Sequence, residues 1–550
     1  MRQIVLYITL LLIVSVNTAS AQEAVPEQKR LIYFTDKNDS PYSLQQPLQF
    51  LSQKALDRRQ RQSISLKERD LPVNPAYTNG LKDKGVKVWY TSRWFNAAVV
   101  ECSDAKLAEL QTLPFVKSST TLNKFILPED NTLGLIQNAV SSFSNEISSD
   151  SKATYGLSFH QANMLGTVAL HEAGFKGAGM TIAVLDAGFP GVNTIEAFSH
   201  LFQNDKIKGT FDFVLKQENV YGAHSHGTSV LSTMAAFEPG KIIGTAYEAN
   251  YLLLRTEDAA TEHTIEEINW LLAAEYADSA GADVINSSLG YNIFDSPSRS
   301  YTYNQMDGNT SIVARAADLA AATGILVVTS AGNEGNSSWR YISSPADADS
   351  VLAVGAVDSL GVKAGFSSFG PSADGQIKPD VVALGQLAYV LSASGNPGKA
   401  NGTSFSGPIV AGFAASLWQA NPSKSNYEMI QLIRQSGSQA TNPDNSIGFG
   451  IPSYNRTLTS LGKLPAQNKV LVTNPVRDKP IILILGQDWL VRPLEVQVWD
   501  ATGKMLLRQQ IKQPAVEQKL SIEPLSLKKG LYVCRVTNGS NTTTVRFIKL

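Results

Sequence analysis

Cysteine is scarce in this chain of 550 residues, which contains only Cys102 and Cys534. Two distant cysteines do not make the dense disulfide framework of small secreted proteins. They fall in parts of the chain that we expect to fold as separate domains, so we predict that they form no bridge. The sequence also lacks a CxxC pair and any cysteine–histidine spacing typical of a metal site or a cysteine nucleophile.

An excess of charge of one sign is lacking as well. The chain has 48 acidic and 47 basic residues, which gives a formal net charge of −1 at pH 7. We therefore expect neither nucleic acid nor an anionic membrane as its main partner. Hydrophobic residues make up 43% of the chain, which is enough to bury a sizeable core, and the length predicts three or four domains.

Long apolar runs of membrane-spanning length are also missing. The one conspicuous run, Ile4–Val16, is too short to span a membrane comfortably, and it follows the basic residue Arg2. Ala19-Ser20-Ala21 then fits the small-x-small pattern at which signal peptides are cut. We predict a secretory signal peptide over residues 1–21, with an uncleaved N-terminal anchor as the less favoured alternative.

The first part of the remaining chain, residues 22–150, mixes strand and helix patterns. They run from about Leu31 to Leu127 and predict a small α+β domain. A serine-rich stretch over residues 141–151 follows, and its composition predicts an exposed linker that proteases can reach.

A different pattern occupies residues 155–461. Short, continuous apolar runs alternate there with helical stretches, which predicts an α/β fold with a doubly wound parallel sheet covered on both faces. In the last part, residues 468–550, apolar and polar residues alternate between turn signals. This pattern predicts a C-terminal antiparallel β-sandwich.

Polar side chains follow two of the predicted buried strands, at the carboxyl ends where such sheets place functional groups. Asp186 comes directly after the run Thr181–Leu185, and Asn333 lies shortly after the run Ile325–Val328. An amide in that place can donate a hydrogen bond to an oxyanion. Taken singly, Asp186 is better explained as a loop-capping aspartate, and a turn explains Asn333 equally well.

His226 is one of only six histidines, and His224 lies two residues before it. Such a pair could bind a metal, but no third ligand lies nearby in the sequence. Ser404 follows Gly402, which permits a tight turn, and precedes Pro408, which we expect in the first turn of a helix. A serine at a helix N-terminus is either an ordinary cap or a nucleophile beside free backbone N–H groups.

Together these sites resemble the subtilase (subtilisin-like serine peptidase) pattern, in the chain order aspartate, histidine, asparagine, serine. The His226-Gly227-Thr228 and Gly402-Thr403-Ser404-x-Ser406-x-Pro408 signatures carry the resemblance. It implies a catalytic triad and an oxyanion donor: Asp186, His226, Ser404 and Asn333. It also implies two substrate-binding segments: Ser288, Leu289 and Gly290, and Ser330, Ala331 and Gly332. No cofactor is implied for catalysis, whereas structural calcium is compatible with the family, without ligands that can be named.

Two positions depart from the family pattern. Ala187 stands where the residue after the catalytic aspartate is usually serine or threonine, and Ala383-Leu384-Gly385 replaces the usual Ala-Pro-Gly. Neither change removes a group that transfers a proton, so we still expect activity.

The flanking parts resemble known modules. The first is similar to a subtilase propeptide with a long insertion around Leu66–Leu81, which implies an intramolecular inhibitor. The last is similar to the type IX secretion C-terminal sorting domain of Bacteroidetes, on Asn474-Pro475-Val476, Trp499-Asp500-Ala501-Thr502-Gly503 and the terminal Lys549-Leu550. This resemblance implies the type IX secretion machinery as a partner and a location outside the cell or on its surface.

The sequence therefore predicts a secreted serine endopeptidase that hydrolyses protein or peptide substrates through an acyl-enzyme on Ser404. One alternative is a subtilase fold without activity that serves as a surface adhesion module. A metal-dependent hydrolase that uses His224 and His226 is a more distant alternative.

Overall fold

The computed structural model describes residues 27–125 and 150–460 and, further on, residues 470–472, 481–485, 489, 493–511, 519–522, 527–539 and 541–549. The predicted signal peptide and the serine-rich stretch up to residue 149 lie outside the described residues. Within them, no helix is both long enough and apolar enough to cross a membrane.

The N-terminal domain is built on one four-stranded antiparallel sheet in the order β2-β3-β1-β4. Its strands are β1 (Gln28–Phe34), β2 (Lys87–Ser92), β3 (Ala97–Cys102) and β4 (Val116–Phe125). Its helices are α1 (Gln53–Arg61), α2 (Pro75–Asp83) and α3 (Asp104–Leu110). The predicted α+β class of this domain is confirmed.

Two helices lie between β1 and β2 of this domain, and the insertion expected around Leu66–Leu81 stays a prediction. Helix α2 begins within the range Leu66–Leu81, because Asn74 caps its N-terminus by accepting a hydrogen bond from the Ala76 N–H and Pro75 takes the first helical position. Residues 35–74, between β1 and α2, carry α1. We call this segment the arm.

The central domain contains ten helices and eleven strands in the residues that the structure describes. The helices are α4 (Asp150–Tyr155), α5 (Phe159–Met164), α6 (Thr167–Glu172), α7 (Ser199–Gln203), α8 (His226–Ala235), α9 (Ile265–Ala280), α10 (Ile312–Ala321), α11 (Thr403–Gln419), α12 (Asn426–Gln435) and α13 (Tyr454–Ser460). The strands are β5 (Thr181–Asp186), β6 (Ile207–Asp212), β7 (Phe237–Glu238), β8 (Ile242–Ile243), β9 (Asn250–Arg255), β10 (Val284–Ser287), β11 (Leu326–Ser330), β12 (Leu352–Val357), β13 (Val381–Leu384), β14 (Ala388–Leu391) and β15 (Pro397–Ala400).

Seven of these strands form one parallel sheet in the order β13-β12-β11-β10-β5-β9-β6. Alternate side chains of each strand enter two separate cores: Val184 packs with α8 and α11 on one face, and Leu185 packs with α9 and α10 on the other. Leu31 and Leu122 of the N-terminal domain join the second core. The doubly wound parallel sheet predicted from the sequence is confirmed.

Helix α11 is buried over almost its whole length and lies very close to a neighbouring turn. A Cβ atom added at Gly412 would lie 2.0 Å from the Thr245 Oγ1. The small residues of the helix therefore allow this close approach, which fixes the position of its N-terminal turn against the sheet.

The C-terminal domain has two antiparallel sheets around a core of its own, as predicted. One has the order β16-β17-β20 and the other β19-β18-β21-β22. The strands are β16 (Val470–Val472), β17 (Ile481–Leu485), β18 (Leu494–Asp500), β19 (Met505–Ile511), β20 (Lys519–Ile522), β21 (Gly530–Thr537) and β22 (Thr542–Lys549). Cys534 is buried here and Cys102 in the N-terminal domain, and both are free thiols, so the prediction of no bridge is confirmed.

Candidate active site

Asp186 is the last residue of β5 and lies at the carboxyl edge of the parallel sheet. Its carboxylate is fully buried, and Oδ1 accepts hydrogen bonds from the Ala187 N–H at 2.8 Å and from the His226 Nδ1 at 2.7 Å. The main chain is held as well, because the Thr256 N–H donates to the Asp186 carbonyl at 3.0 Å. Asp186 is therefore fixed by the strand and in turn orients the imidazole.

His226 is the first residue of α8, and its side chain keeps 26% of its solvent exposure. Burial alone would lower its pKa, but the charge and hydrogen bond of Asp186, together with the charge of Glu257, raise the pKa above its ordinary value. The ring can therefore accept a proton and remain stabilised as an imidazolium. His224, which is exposed, lies beside it with the two ring centroids 6.5 Å apart.

Ser404 is the second residue of α11, and the His226 ring lies 5.9 Å from the ring of the next residue, Phe405. In this structure the Ser404 hydroxyl donates to the Ser288 carbonyl at 3.3 Å. The backbone N–H of Ser404 belongs to the first helical turn, where such groups lack partners within the helix. The structure thus brings Ser404 and the histidine to one place without a direct bond between them; such bonds are often long before substrate binds.

The position expected for Pro408 was wrong, because it lies in the second turn of α11 and not in the first. A proline there cannot donate to the carbonyl four residues earlier, which is that of Ser404. The Ser288 hydroxyl donates to this carbonyl instead, at 3.0 Å. The helix therefore remains regular next to Ser404 because a neighbouring strand end supplies the missing donor.

Asn333 lies in the loop after β11, with its side chain exposed. Its Oδ1 accepts two hydrogen bonds from Thr403, one from the N–H at 2.8 Å and one from the hydroxyl at 3.0 Å. Because the oxygen is held in this way, the amide NH₂ group points away from Thr403 and is available as a donor.

A cavity of about 100 Å³ lies beside Ser404 and Asn333. It is lined by residues from the two strand ends and the loops after them: Ser288, Leu289, Gly290, Asn292, Ser330, Gly332, Asn333, Glu334, Ser343, Thr403 and Ser404. Five of the six residues predicted to bind substrate are among them. The sixth, Ala331, is fully buried beneath and does not line the cavity.

Three carboxylates meet near the start of α9, with oxygens of Glu257, Glu262 and Glu266 within 4.8 Å of one another. Burial raises the pKa values of these carboxyl groups to about 7, 8 and 9 respectively, with a smaller contribution from the charge of Asp186 at Glu257 and from the charge of Glu257 at the other two. Glu257 lies two residues after the end of β9. The last residue of that strand, Arg255, lies opposite Asp186 in the register of the parallel sheet. The cluster is therefore an electrostatic neighbour of the histidine–aspartate pair.

A family model described as the subtilase family matches residues 177–450. Subtilisin DY of Bacillus licheniformis is 34% identical over 279 residues, which cover 50% of this chain and 89% of that protein. The chain belongs to the subtilase family. It is thus a subtilisin-like serine endopeptidase, as the sequence predicted.

The match to subtilases extends beyond the central domain. Subtilisin NAT of Bacillus subtilis subsp. natto is 29% identical over 374 residues, which cover 67% of this chain and 82% of that protein. A crystal structure of MycP1 with its N-terminal propeptide removed covers 54% of this chain and 96% of its own, at 24% identity and a TM-score of 0.43.

The two flanking domains of this subtilase match models of their own. A model of the peptidase S8 propeptide domain of Bacteroidota matches residues 29–132, and one of the secretion system C-terminal sorting domain matches residues 473–550. The protein therefore carries a propeptide domain, and its sorting domain marks it for export to the cell surface or the medium.

Subtilisins act without a cofactor and often bind structural calcium. In the glutamate cluster, Glu257 accepts a hydrogen bond from the Tyr291 hydroxyl at 2.7 Å, and Glu266 accepts from the backbone N–H groups of Asp258 and His263 at 2.8 and 2.9 Å. We assign no calcium to it.

The roles of two residues near the subtilase site escaped the sequence analysis. Thr403, which orients Asn333, directly precedes Ser404, and this adjacency is a signal that could have singled it out. Glu257 influences the pKa of His226, and it lies just beyond a strand end, as Asp186 does. The same strand-end rule applied to β9 would have found it.

Proposed function

We propose that Asp186, His226 and Ser404 act as a catalytic triad that hydrolyses peptide bonds. The observation that carries the proposal is the 2.7 Å bond from the His226 Nδ1 to the buried Asp186 Oδ1, at the sheet edge where Ser404 occupies the first turn of α11. Because Nδ1 is engaged, the other ring nitrogen, Nε2, is the one that can act as a base.

In the proposed reaction the Ser404 Oγ attacks the scissile carbonyl carbon while the His226 Nε2 takes its proton. The imidazolium then protonates the leaving amine, which departs and leaves an acyl group on Ser404. A water molecule, deprotonated by the same nitrogen, attacks this ester; the imidazolium then returns the proton to the Ser404 Oγ as the acid is released. Asp186 holds the ring in the productive tautomer and stabilises its charge, without accepting the proton itself.

Each tetrahedral intermediate carries a negative oxygen that needs donors. The Asn333 amide and the backbone N–H of Ser404 lie beside the same cavity, and we assign them to this oxygen. The N-terminal end of α11 adds a favourable partial positive charge.

Two chain segments flank the cavity and would bind the substrate main chain. We assign Ser288, Leu289 and Gly290 to one side and Ser330, Ala331 and Gly332 to the other. Ala331 would act through its backbone position, since its side chain is buried below the cavity.

The flanking domains place this site within a precursor. We propose a signal peptide over residues 1–21, an inhibitory propeptide domain and linker over 22–150, the peptidase domain over 155–461 and a domain over 468–550 that is read by type IX secretion machinery. Its substrates would be proteins or peptides, and catalysis would require no cofactor.

The nucleophile assignment is tested by labelling with a fluorophosphonate and by hydrolysis of casein. We expect both to disappear in Ser404→Ala and to remain in Ser394→Ala, a matched change at an exposed serine of the same domain. Labelling of Ser404→Ala at the parent's level would contradict the proposal and would favour an adhesion module or another nucleophile.

A further inference from the structure

Arginines of the N-terminal domain converge on one buried carboxylate of the peptidase domain. Asp278, in the last turn of α9, has 0% exposure and forms ion pairs with Arg58 and Arg59 of the arm and with Arg93 from the turn between β2 and β3. Burial would raise the pKa of the Asp278 carboxyl, but the three guanidinium groups hold it at about 2. Asp278 is therefore charged whenever the domains are together.

A second carboxylate of the peptidase domain forms ion pairs with the same helix of the arm, α1. Asp283, directly before β10, is 1% exposed and pairs with the Lys54 Nζ at 3.2 Å and with the Arg61 Nη2 at 3.1 Å. Helix α1 thus presents basic groups to two acids of the peptidase domain.

Hydrogen bonds to uncharged groups of the peptidase domain complete this interface. The Gln62 amide donates to the Gly324 carbonyl at 2.7 Å and accepts from the Asn426 N–H at 2.9 Å, and the Arg58 Nε donates to the Thr323 carbonyl at 3.1 Å. At Gly281, which caps α9 with a φ of +86°, a Cβ atom would lie 2.7 Å from the Lys54 Cβ. The arm therefore lies directly against the end of α9.

The arm binds at the edge of the sheet opposite the active site. Its contacts Asp283 and Gly324 stand just before the amino ends of β10 and β11, whereas Asp186 stands at the carboxyl end of β5. With six residues in β5 and a rise of about 3.3 Å per residue, the two edges lie roughly 17 Å apart. Arm binding therefore does not depend on contact with the catalytic residues.

The peptidase domain gains little from Asp278 by itself. A carboxylate in the last turn of a helix is disfavoured by the helix dipole, and a buried one without a partner is costly. Within the described residues, every ionic partner of Asp278 comes from the N-terminal domain. The three arginines of the N-terminal domain therefore explain why a charged side chain is buried at this position.

We propose that the arm is a second anchor of the propeptide domain, separate from the active site. The arm binds at the amino edge of the central sheet through ion pairs with Asp278 and Asp283. The propeptide domain therefore stays bound to the peptidase domain after the connecting segment is cut. Its release requires the contacts of the arm to dissociate. The proposal does not rest on the catalytic role of Ser404.

The test uses the full chain with Ser404→Ala and two recognition sites for a sequence-specific protease, one on each side of residues 126–149. Cutting both sites removes the connecting segment and leaves the two domains free to separate. Gel filtration then shows whether they co-elute, and dilution of a labelled complex gives the dissociation rate.

We expect the parent complex to stay together after both cuts. Arg58→Met should dissociate at least about 30-fold faster, because a buried charge pair loses one partner. Asp205→Asn, which removes an exposed ion pair with Lys208 elsewhere on the peptidase domain, should match the parent. Separation of the parent on cutting, or equal rates for Arg58→Met and Asp205→Asn, would overturn the proposal.

A second variant covers the case in which Arg58→Met does not fold. Lys54→Ala combined with Arg61→Ala removes two side chains that are 36% and 49% exposed, so the arm should fold without them. We expect about 5-fold faster dissociation from this pair, since partly exposed ion pairs contribute less. A rate equal to that of the parent would count against the arm as the anchor.

Discussion

At the scale of single residues, the active site depends on side chains whose partners fix their orientation. Asn333 is the clearest case, because two hydrogen bonds from Thr403 hold its oxygen and leave its NH₂ group as the donor. An amide fixed in this way loses no orientational freedom when an oxyanion forms beside it.

We predict that Asn333→Ala lowers kcat by about 10²–10³-fold with little change in KM, a magnitude measured for the equivalent donor in subtilisin. The reason is that the amide would act only on the charge that develops in the transition state. Steady-state kinetics on a peptide substrate measures the effect, with Asn336→Ala, an exposed asparagine of the same loop, as the control. A rise in KM at constant kcat would instead assign Asn333 to ground-state binding.

Much of this site could be predicted from the sequence, because its residues follow recognisable strand and helix ends. Asp186 and Asn333 follow buried apolar runs, and Ser404 lies between a permissive glycine and a helix. The three-glutamate cluster could not be predicted, since Glu257, Glu262 and Glu266 read as ordinary solvated charges until the fold buries them together. Nor could the hydroxyl of Ser288 be matched to the carbonyl that Pro408 leaves free, because these contacts join distant parts of the chain.

At the scale of elements, the glutamate cluster joins the end of β9 to the start of α9. Its carboxyl groups have raised pKa values, so the folded state binds more protons than the unfolded state between about pH 4.5 and pH 9. Stability from this source is therefore full at low pH and falls as the pH rises through these values.

We predict that Glu266→Gln reduces the stability lost between pH 6 and pH 8 by roughly 1–3 kcal/mol, since glutamine cannot lose the proton. Thermal unfolding at both pH values measures this difference. Glu218→Gln, at an exposed glutamate, should leave the pH dependence unchanged. An equal loss in Glu266→Gln and the parent would show that the cluster does not titrate as we describe.

The close approach of α11 to Thr245 gives a second prediction at this scale. Gly412→Ala should destabilise the fold by about 1–3 kcal/mol, although alanine favours a helix by about 1 kcal/mol over glycine, because the new methyl group overlaps the threonine hydroxyl. Gly365→Ala, where an added Cβ meets nothing within 4 Å, should change the melting temperature little. Adding Thr245→Ala to Gly412→Ala should restore part of the loss.

At the scale of the whole molecule, three domains of different topology share one chain. The parallel sheet of the central domain and the antiparallel sheets of the C-terminal domain were predictable, because continuous apolar runs and strict alternation differ visibly in the sequence. The contacts of the arm with the peptidase domain were not predicted. Its basic helix reads as a solvated surface, and only the folded chain shows that Arg58 is buried against a helix more than 200 residues away.

Processing of the precursor tests how the domains are used in sequence. If the peptidase matures itself, we expect the Ser404→Ala chain to accumulate with its N-terminal domain still attached through the serine-rich stretch. Mass spectrometry of the secreted protein distinguishes cut from uncut chains, with Ser394→Ala as the control that should be processed like the parent. Normal processing of Ser404→Ala would mean that another protease matures it.

The two bonds between Ser288 and Ser404 have a consequence for the idle enzyme. The Ser288 carbonyl accepts a hydrogen bond from the Ser404 hydroxyl at 3.3 Å, so this hydroxyl is engaged by the substrate-binding segment. A substrate main chain that pairs with this segment would place its own N–H on the same carbonyl and displace the hydroxyl. Substrate binding would then free the Ser404 hydroxyl from Ser288, so that it can donate to His226.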